Sequence, residues 1–290
     1  MKRLLSLLSL CAVLICLSCF IGCEPVRPPV PPKPQPRPIN ARLCLTTDVK
    51  QIAVTRPTGS EANQRVAAYI ETELKKLGLT VRRQDFGGGV NIIGIQRGPV
   101  ARTIIVGSHY DSVSSTPGAD DNASGCAMNL LLARQLNREK PRHTIRYVFF
   151  DAEERGLVGS SYYARNMMKE QCDFMVNFDM VGNLHASHMA VDPEPVFSAL
   201  FKKYPWAKSI SHRQGAGPSD HAPFQRKGIP FVWIFTGGHG RYHGPGDTPA
   251  TLNYDGMVKI NQYAKDLILT FDRQVDRAMI DSLTEVSYLP

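Results

Sequence analysis

His109 and Asp111, Asp121 within the stretch Gly118–Gly125, the pair Glu153 and Glu154, Asp179 and His243 follow one another along the chain. Imidazole nitrogens and carboxylate oxygens are the donors of hydrolytic metal ions, and this series suffices for two ions with a water between them. Metal-assisted hydrolysis is the chemistry that these residue types support.

Each residue has a plausible part. Residues two apart in an extended chain share a face, so Asp111 can take the second ring N–H of His109 and fix its tautomer. Asp120 and Asn122 stand just before an expected helix and suit its N-terminus, whereas Asp121 is the candidate to bridge two ions with its two oxygens. Of the adjacent Glu153 and Glu154, one can bind metal while the other handles the proton of an attacking water. Asp179 ends an apolar run, and a carboxylate there needs a cation or a hydrogen-bond network. His143, His185, His188, His212 and His239 read as ordinary loop residues. The glycines at 237–240 make no phosphate cradle, since no Lys-Ser/Thr follows them.

Parallel strands joined by helices would position such a set. Ser60 is an expected N-cap for a helix whose apolar residues Val66, Ala67, Ile70, Leu74 and Leu77 keep helical spacing until Gly78. Strand-like runs at 79–86 and 90–95 flank Gly87, Gly88 and Gly89 as a hairpin. Strands at 103–108, 144–150, 174–178 and 229–235 then alternate with helices at 124–136 and 159–168, and a helix at 254–271 closes the series. The pattern predicts a single α/β domain with a mixed, mostly parallel sheet and helices on both faces. In such sheets ligands bind beyond the carboxyl ends of the strands, which is where the motifs fall.

The N-terminus is of another kind. Lys2 and Arg3 precede an uncharged apolar run, and Cys23 follows Gly22. This resembles a bacterial lipoprotein signal at 1–22 with lipidation of Cys23. The other reading is a signal-anchor helix, and both place the folded part outside the cytoplasm, in the cell envelope on the periplasmic or cell-surface side. The proline-rich stretch within 23–40 predicts an extended stalk, which leaves 41–290 as the catalytic domain. Removing the charges of signal and stalk halves the net +8. With no clustered basic stripe left, nucleic-acid binding is not expected. Cys44, Cys126 and Cys172 remain, and an oxidising compartment would allow one disulfide of unassigned pairing. Oligomeric state is not encoded in any of these features.

The ordered motifs resemble the two-zinc aminopeptidase superfamily, which includes bacterial leucine aminopeptidases, glutamate carboxypeptidase and glutaminyl cyclase. The resemblance spans roughly residues 60–271. It implies two Zn2+ ions, one held by His109 and Asp179, the other by Glu154 and His243, with Asp121 bridging them and Asp111 orienting His109. It also implies Glu153 as general base, Tyr242 as an oxyanion partner, and Ser219, Asp220 and His221 near the substrate pocket. The expected activity is release of N-terminal residues from peptides. The alternative is a single-zinc glutaminyl cyclase, favoured by residues 109–112, 125–128 and 220–224. Against it stand residues 122–125, the short connection from Glu154 to Gly159, and Tyr242 where cyclases tend to carry tryptophan. A binding module that had lost catalysis would have no need of Glu153.

Overall fold

In a computed structural model of the chain the described residues are 38–168, 171–184, 190–193 and 218–274. The chain divides into two units, Met1–Pro38 and Ile39–Pro290. The account below concerns the second. The expected signal, Cys23 and nearly all of the stalk lie outside the described residues, as do His185, His188, His212 and residues 275–290.

The strands are β1 (Thr80–Asp85), β2 (Val90–Gln96), β3 (Val100–His109), β4 (His143–Phe150), β5 (Cys172–Phe178), β6 (Ala190–Pro193) and β7 (Phe231–Phe235). They form one sheet in the order β1-β2-β4-β3-β5-β7-β6. The central β4, β3, β5 and β7 run parallel, while β1, β2 and β6 pair antiparallel at the flanks. The sheet is thus mixed, as expected. Register sets His109 beside Phe150 and Phe178 beside Ile234, so the carboxyl ends of the parallel strands open on one edge of the sheet.

Alternation along the strands sends side chains to two separate cores. Ile104 and Val106 of β3, Tyr147 and Phe149 of β4, and Phe174 and Val176 of β5 face one core. It also takes in the apolar sides of α1 (Ala41–Ile52), α2 (Glu61–Lys76), α3 (Gly125–Glu139) and α6 (Tyr254–Gln274). Ile105, Val148, Phe150 and Met175 face the other core, covered by the shorter α4 (Val158–Arg165) and α5 (Ala222–Arg226). Helices therefore lie on both faces. Each fully buried aliphatic or aromatic side chain contributes about 1.5–3 kcal/mol by leaving water.

Local signals explain most of the boundaries. The Ser60 hydroxyl accepts the Asn63 N–H at 3.1 Å, capping α2 as expected. Helices α1 and α5 and strand β6 are additions to the expected series. Helix α1 starts the described fold. Its stretch Thr46, Thr47, Asp48 and Val49 is poor in strong helix formers, and tertiary contacts hold it: Asp48, buried, accepts the Tyr69 hydroxyl at 2.6 Å and Nη2 of Arg134 at 3.0 Å. The allowed disulfide is not formed; Cys44, Cys126 and Cys172 are free thiols.

At the end of the sheet away from the parallel strands' carboxyl termini, His143 is not the ordinary loop residue expected. Its Nδ1 lies 2.8 Å from Asp272 of α6 and its Nε2 lies 3.1 Å from Asp173 of β5, while Nε of Arg102 donates to Asp173 at 2.6 Å. The cluster staples the last helix to the sheet.

Candidate metal centre

The expected site residues converge at the carboxyl edge. His109 is the last residue of β3, and Asp111 follows it with its Oδ1 3.3 Å from His109 Nδ1. Asp111 does more than face the ring, since its two oxygens accept the backbone N–H groups of Glu153 and Glu154 at 3.1 and 3.2 Å. One carboxylate thus locks the end of β3 to the loop after β4. Behind it the Cys126 thiol donates to the His109 carbonyl at 2.9 Å, and burial pushes that thiol up to about 11.

Asp121 lies in the turn Ala119–Ser124 that leads into α3, entered through Gly118 with φ +59°. A side chain at Gly118 would run into the Asp121 carbonyl as well as being strained. The peptide between Asp121 and Asn122 is cis. Asp121 directs Oδ1 to His109 Nε2 at 3.2 Å and Oδ2 to His243 Nε2 at 3.1 Å. Its neighbours divide as follows. The Asn122 side chain accepts the Gly125 N–H at 3.0 Å, fitting the helix-start expectation. Asp120 instead accepts the Gly182 N–H at 2.7 Å and lies 3.0 Å from Nε2 of His239. That pairing departs from the expectations for both residues, because the loop bearing His239 folds over the turn.

Asp179, just past β5, brings Oδ1 to 3.5 Å from His109 Nε2. Glu154 brings Oε2 to 3.1 Å from His243 Nε2. His109, Glu153 and Asp179 offer ligand atoms within 4.8 Å of one another, as do His109, Asp121 and Glu154. Ala152, Met180 and His243 all have left-handed φ between +55° and +57°, a conformation costing about 1–2 kcal/mol per residue outside glycine. These are the residue before Glu153, the residue after Asp179 and a proposed ligand itself. The strained turns aim the polar side chains into one crevice.

Tyr242 is half exposed and stacks on His243 with ring centroids 3.8 Å apart. Burial raises its pKa, and the Asp121, Glu154, Asp179 and Glu153 carboxylates add to the shift. Ser219, Asp220 and His221 precede α5 and are buried. The His221 ring stacks against Phe231 and Trp233 at centroid distances of 4.6 and 4.7 Å. Burial raises the pKa of Asp220, and the nearby Asp179 and Asp111 charges act in the same direction.

The electrostatics call for a cation. Burial alone would lower the His109 pKa, yet the Glu153 and Asp179 charges and the Asp111 and Asp121 oxygens raise it well above its ordinary value. Burial raises Glu153, with Asp179, Asp220 and Glu154 adding to it, and burial raises Glu154 beside Asp121. Hydrogen-bond geometry points the same way. His109 Nε2, His243 Nε2, Glu154 Oε1 and Asp179 Oδ1 are buried with no hydrogen-bond partner, despite the short distances. Nδ1 of His109, 3.3 Å from Asp111, is likewise without a hydrogen-bond partner, so ring nitrogens and carboxylate oxygens crowd together with no hydrogen bond between them, an arrangement that a positive ion among them would satisfy. The donor set therefore fits divalent metal.

Two residues that organise this edge were not found from the sequence. Asp247, fully buried, accepts the Asp120 and Asp121 N–H groups, and Arg56, fully buried, donates to carbonyls on both sides of the cradle. The spacing of Asp247 four residues after His243 was a usable signal. Arg56 left none.

Comparison with known proteins agrees with the geometry. A match to peptidase family M28 spans residues 91–268. Leupeptin-inactivating enzyme 1 of Streptomyces exfoliatus is 32% identical over 223 residues, covering 72% of this chain and 51% of that protein. The chain spans about half or less of the length of the curated relatives it matches. Among solved structures, a zinc aminopeptidase from Bacillus subtilis superposes with a TM-score of 0.74 at 18% identity, covering 84% of this chain and 97% of that one. A glutaminyl cyclase from Tannerella forsythia gives 0.66 at 22% identity, with 79% and 98% covered. At such identities the two structures share the fold. On the extent of the family match, this chain is a member of peptidase family M28.

Proposed function

We propose that the protein is a zinc-dependent aminopeptidase that hydrolyses N-terminal peptide bonds at a two-metal centre. The observation that carries this reading is the division of Asp121, one oxygen toward His109 and the other toward His243. A single-ion site would leave one of those histidines without a purpose. His109 and Asp179 would hold one ion, Glu154 and His243 the other, and Asp121 both. Such ions, when bound, would supply Lewis acidity, lowering the pKa of a bound water to about 7 and polarising the substrate carbonyl.

The chain's own groups supply the rest. Glu153 sits within ligand range of His109 and Asp179, so its carboxylate can take the proton of the attacking water and pass it to the departing amine. Asp111 accepts the backbone N–H groups of both glutamates and, 3.3 Å from His109 Nδ1, would orient that ring. Tyr242, stacked on the His243 ring, would donate to the developing oxyanion.

The relatives' names support the reaction class, and the paired histidines favour peptidase over glutaminyl cyclase. We further infer that residues 1–22 are a signal, that Cys23 carries lipid, and that the enzyme works on peptides at the bacterial cell envelope. Zinc-loaded protein should release amino acid from aminoacyl anilides with two ions per chain. Ammonia loss from a Gln-initiated peptide, with one ion per chain, would instead establish the cyclase. Cys23→Ser should move the protein from the membrane to the soluble fraction; unchanged partition would reject the anchor.

A further inference from the structure

We propose that Arg56 is a positioning residue for the metal cradle, clamping the two segments that carry His109, Asp111 and Asp121. Arg56 lies between α1 and α2, outside the family match at 91–268, and is fully buried. Its Nε donates to the Tyr110 carbonyl at 2.6 Å, Nη1 to those of Pro117 at 2.6 Å and Val54 at 3.1 Å, and Nη2 to that of Gly118 at 3.0 Å. Its backbone N–H donates to the Ser112 hydroxyl at 3.0 Å, and its carbonyl accepts the Ser112 N–H at 3.3 Å.

The partners of the guanidinium are carbonyls. A buried cation needs compensation for its lost hydration, and the carbonyl dipoles, with the fields of Asp111, Asp121 and Asp247, supply it. The location of those carbonyls gives the arrangement its meaning. Tyr110 separates His109 from Asp111, and Gly118 opens the turn that carries Asp121. One rigid side chain therefore spans the gap between the ligand at the end of β3 and the ligand before α3. The fork matters more than the charge, because the planar guanidinium reaches four carbonyls in fixed directions and an ammonium cannot. A Cβ at Gly118 would come within 3.1 Å of Arg56 Nη1, so turn and side chain are fitted to each other.

This inference rests on the two-metal reading, and its test separates the two. Zinc would be titrated against a competing chelator into chelator-stripped wild type, R56K and R56M, with far-UV circular dichroism as the control for folding. A wild-type chain that takes up no zinc would remove the two-metal reading itself. If wild type binds, both variants should lose about 10- to 100-fold in zinc affinity, the usual cost of disturbing groups behind the ligands. Equal affinity in R56K would show that any cation suffices and overturn the clamp. Tighter binding in R56M would show that Arg56 acts only as a repelling charge, and would also overturn it. Should neither variant fold, Ser112→Ala, which removes the acceptor of the Arg56 N–H, should weaken zinc binding several-fold; unchanged affinity there would count against the proposal.

Discussion

The Asp247 carboxylate accepts the backbone N–H of Asp121 at 3.0 Å, and its other oxygen accepts that of Asp120 at 2.8 Å. Asp247 follows His243 in the same loop, so this contact joins the loop of one metal-facing histidine to the turn of the bridging carboxylate. Asp247→Asn keeps one acceptor and sets an amide against the other N–H. An unsatisfied buried donor costs about 1–3 kcal/mol, so the variant should lose that much stability in urea titrations. Its kcat/KM should fall as well, because His243 and Asp121 are no longer held in register.

Glu153→Gln removes the proton acceptor and leaves the cradle's shape. Turnover of an aminoacyl anilide should drop about 10²- to 10⁴-fold, the usual share of general base catalysis. Metal content by elemental analysis should stay at the wild-type value. Full activity in this variant would assign the base elsewhere.

Removing metal should loosen the protein as well as silence it. The buried Asp121 and Asp179 and the half-buried Glu154 crowd like charges around His109 when no ion sits among them. A ligand bound only by the folded chain stabilises by about 2.7 kcal/mol at a free concentration one hundred times its Kd. Chelation should therefore lower Tm, and zinc should restore it in a concentration-dependent way. A Tm indifferent to chelator would argue against ions at this edge.

The His143 staple predicts a dependence on pH of a different kind. Burial would lower its pKa, yet the hydrogen bonds to Asp173 and Asp272 raise it above the ordinary value. A raised folded pKa means that protonated His143 stabilises fully below the unfolded value of about 6.5, and that this contribution is lost as pH rises through the folded value. Tm measured on metal-free protein should decline across that interval, and His143→Gln should flatten the decline. An identical slope in both proteins would remove His143 as the cause.

The amino-acid sequence by itself determined strands β1 to β5 and β7, the long amphipathic helices α2, α3 and α6, and the places of His109, Glu153, Glu154 and Asp179 at or just after strand ends. Those features rest on short-range periodicity: β3 reads as a buried run ending in a histidine, and α2 as an apolar stripe with a serine cap. Helix α1 was harder to read, since Asp48 is held by Tyr69 and Arg134, far along the chain. Only the tertiary structure decided which oxygen of Asp121 faces which histidine, that Asp120 meets His239, and that Arg56 and Asp247 brace the cradle from opposite ends of the chain. A hydrogen bond such as Asp121 to Asp247 spans 126 residues, and its existence depends on how the loops close over the sheet edge. Local composition carries no record of that closure.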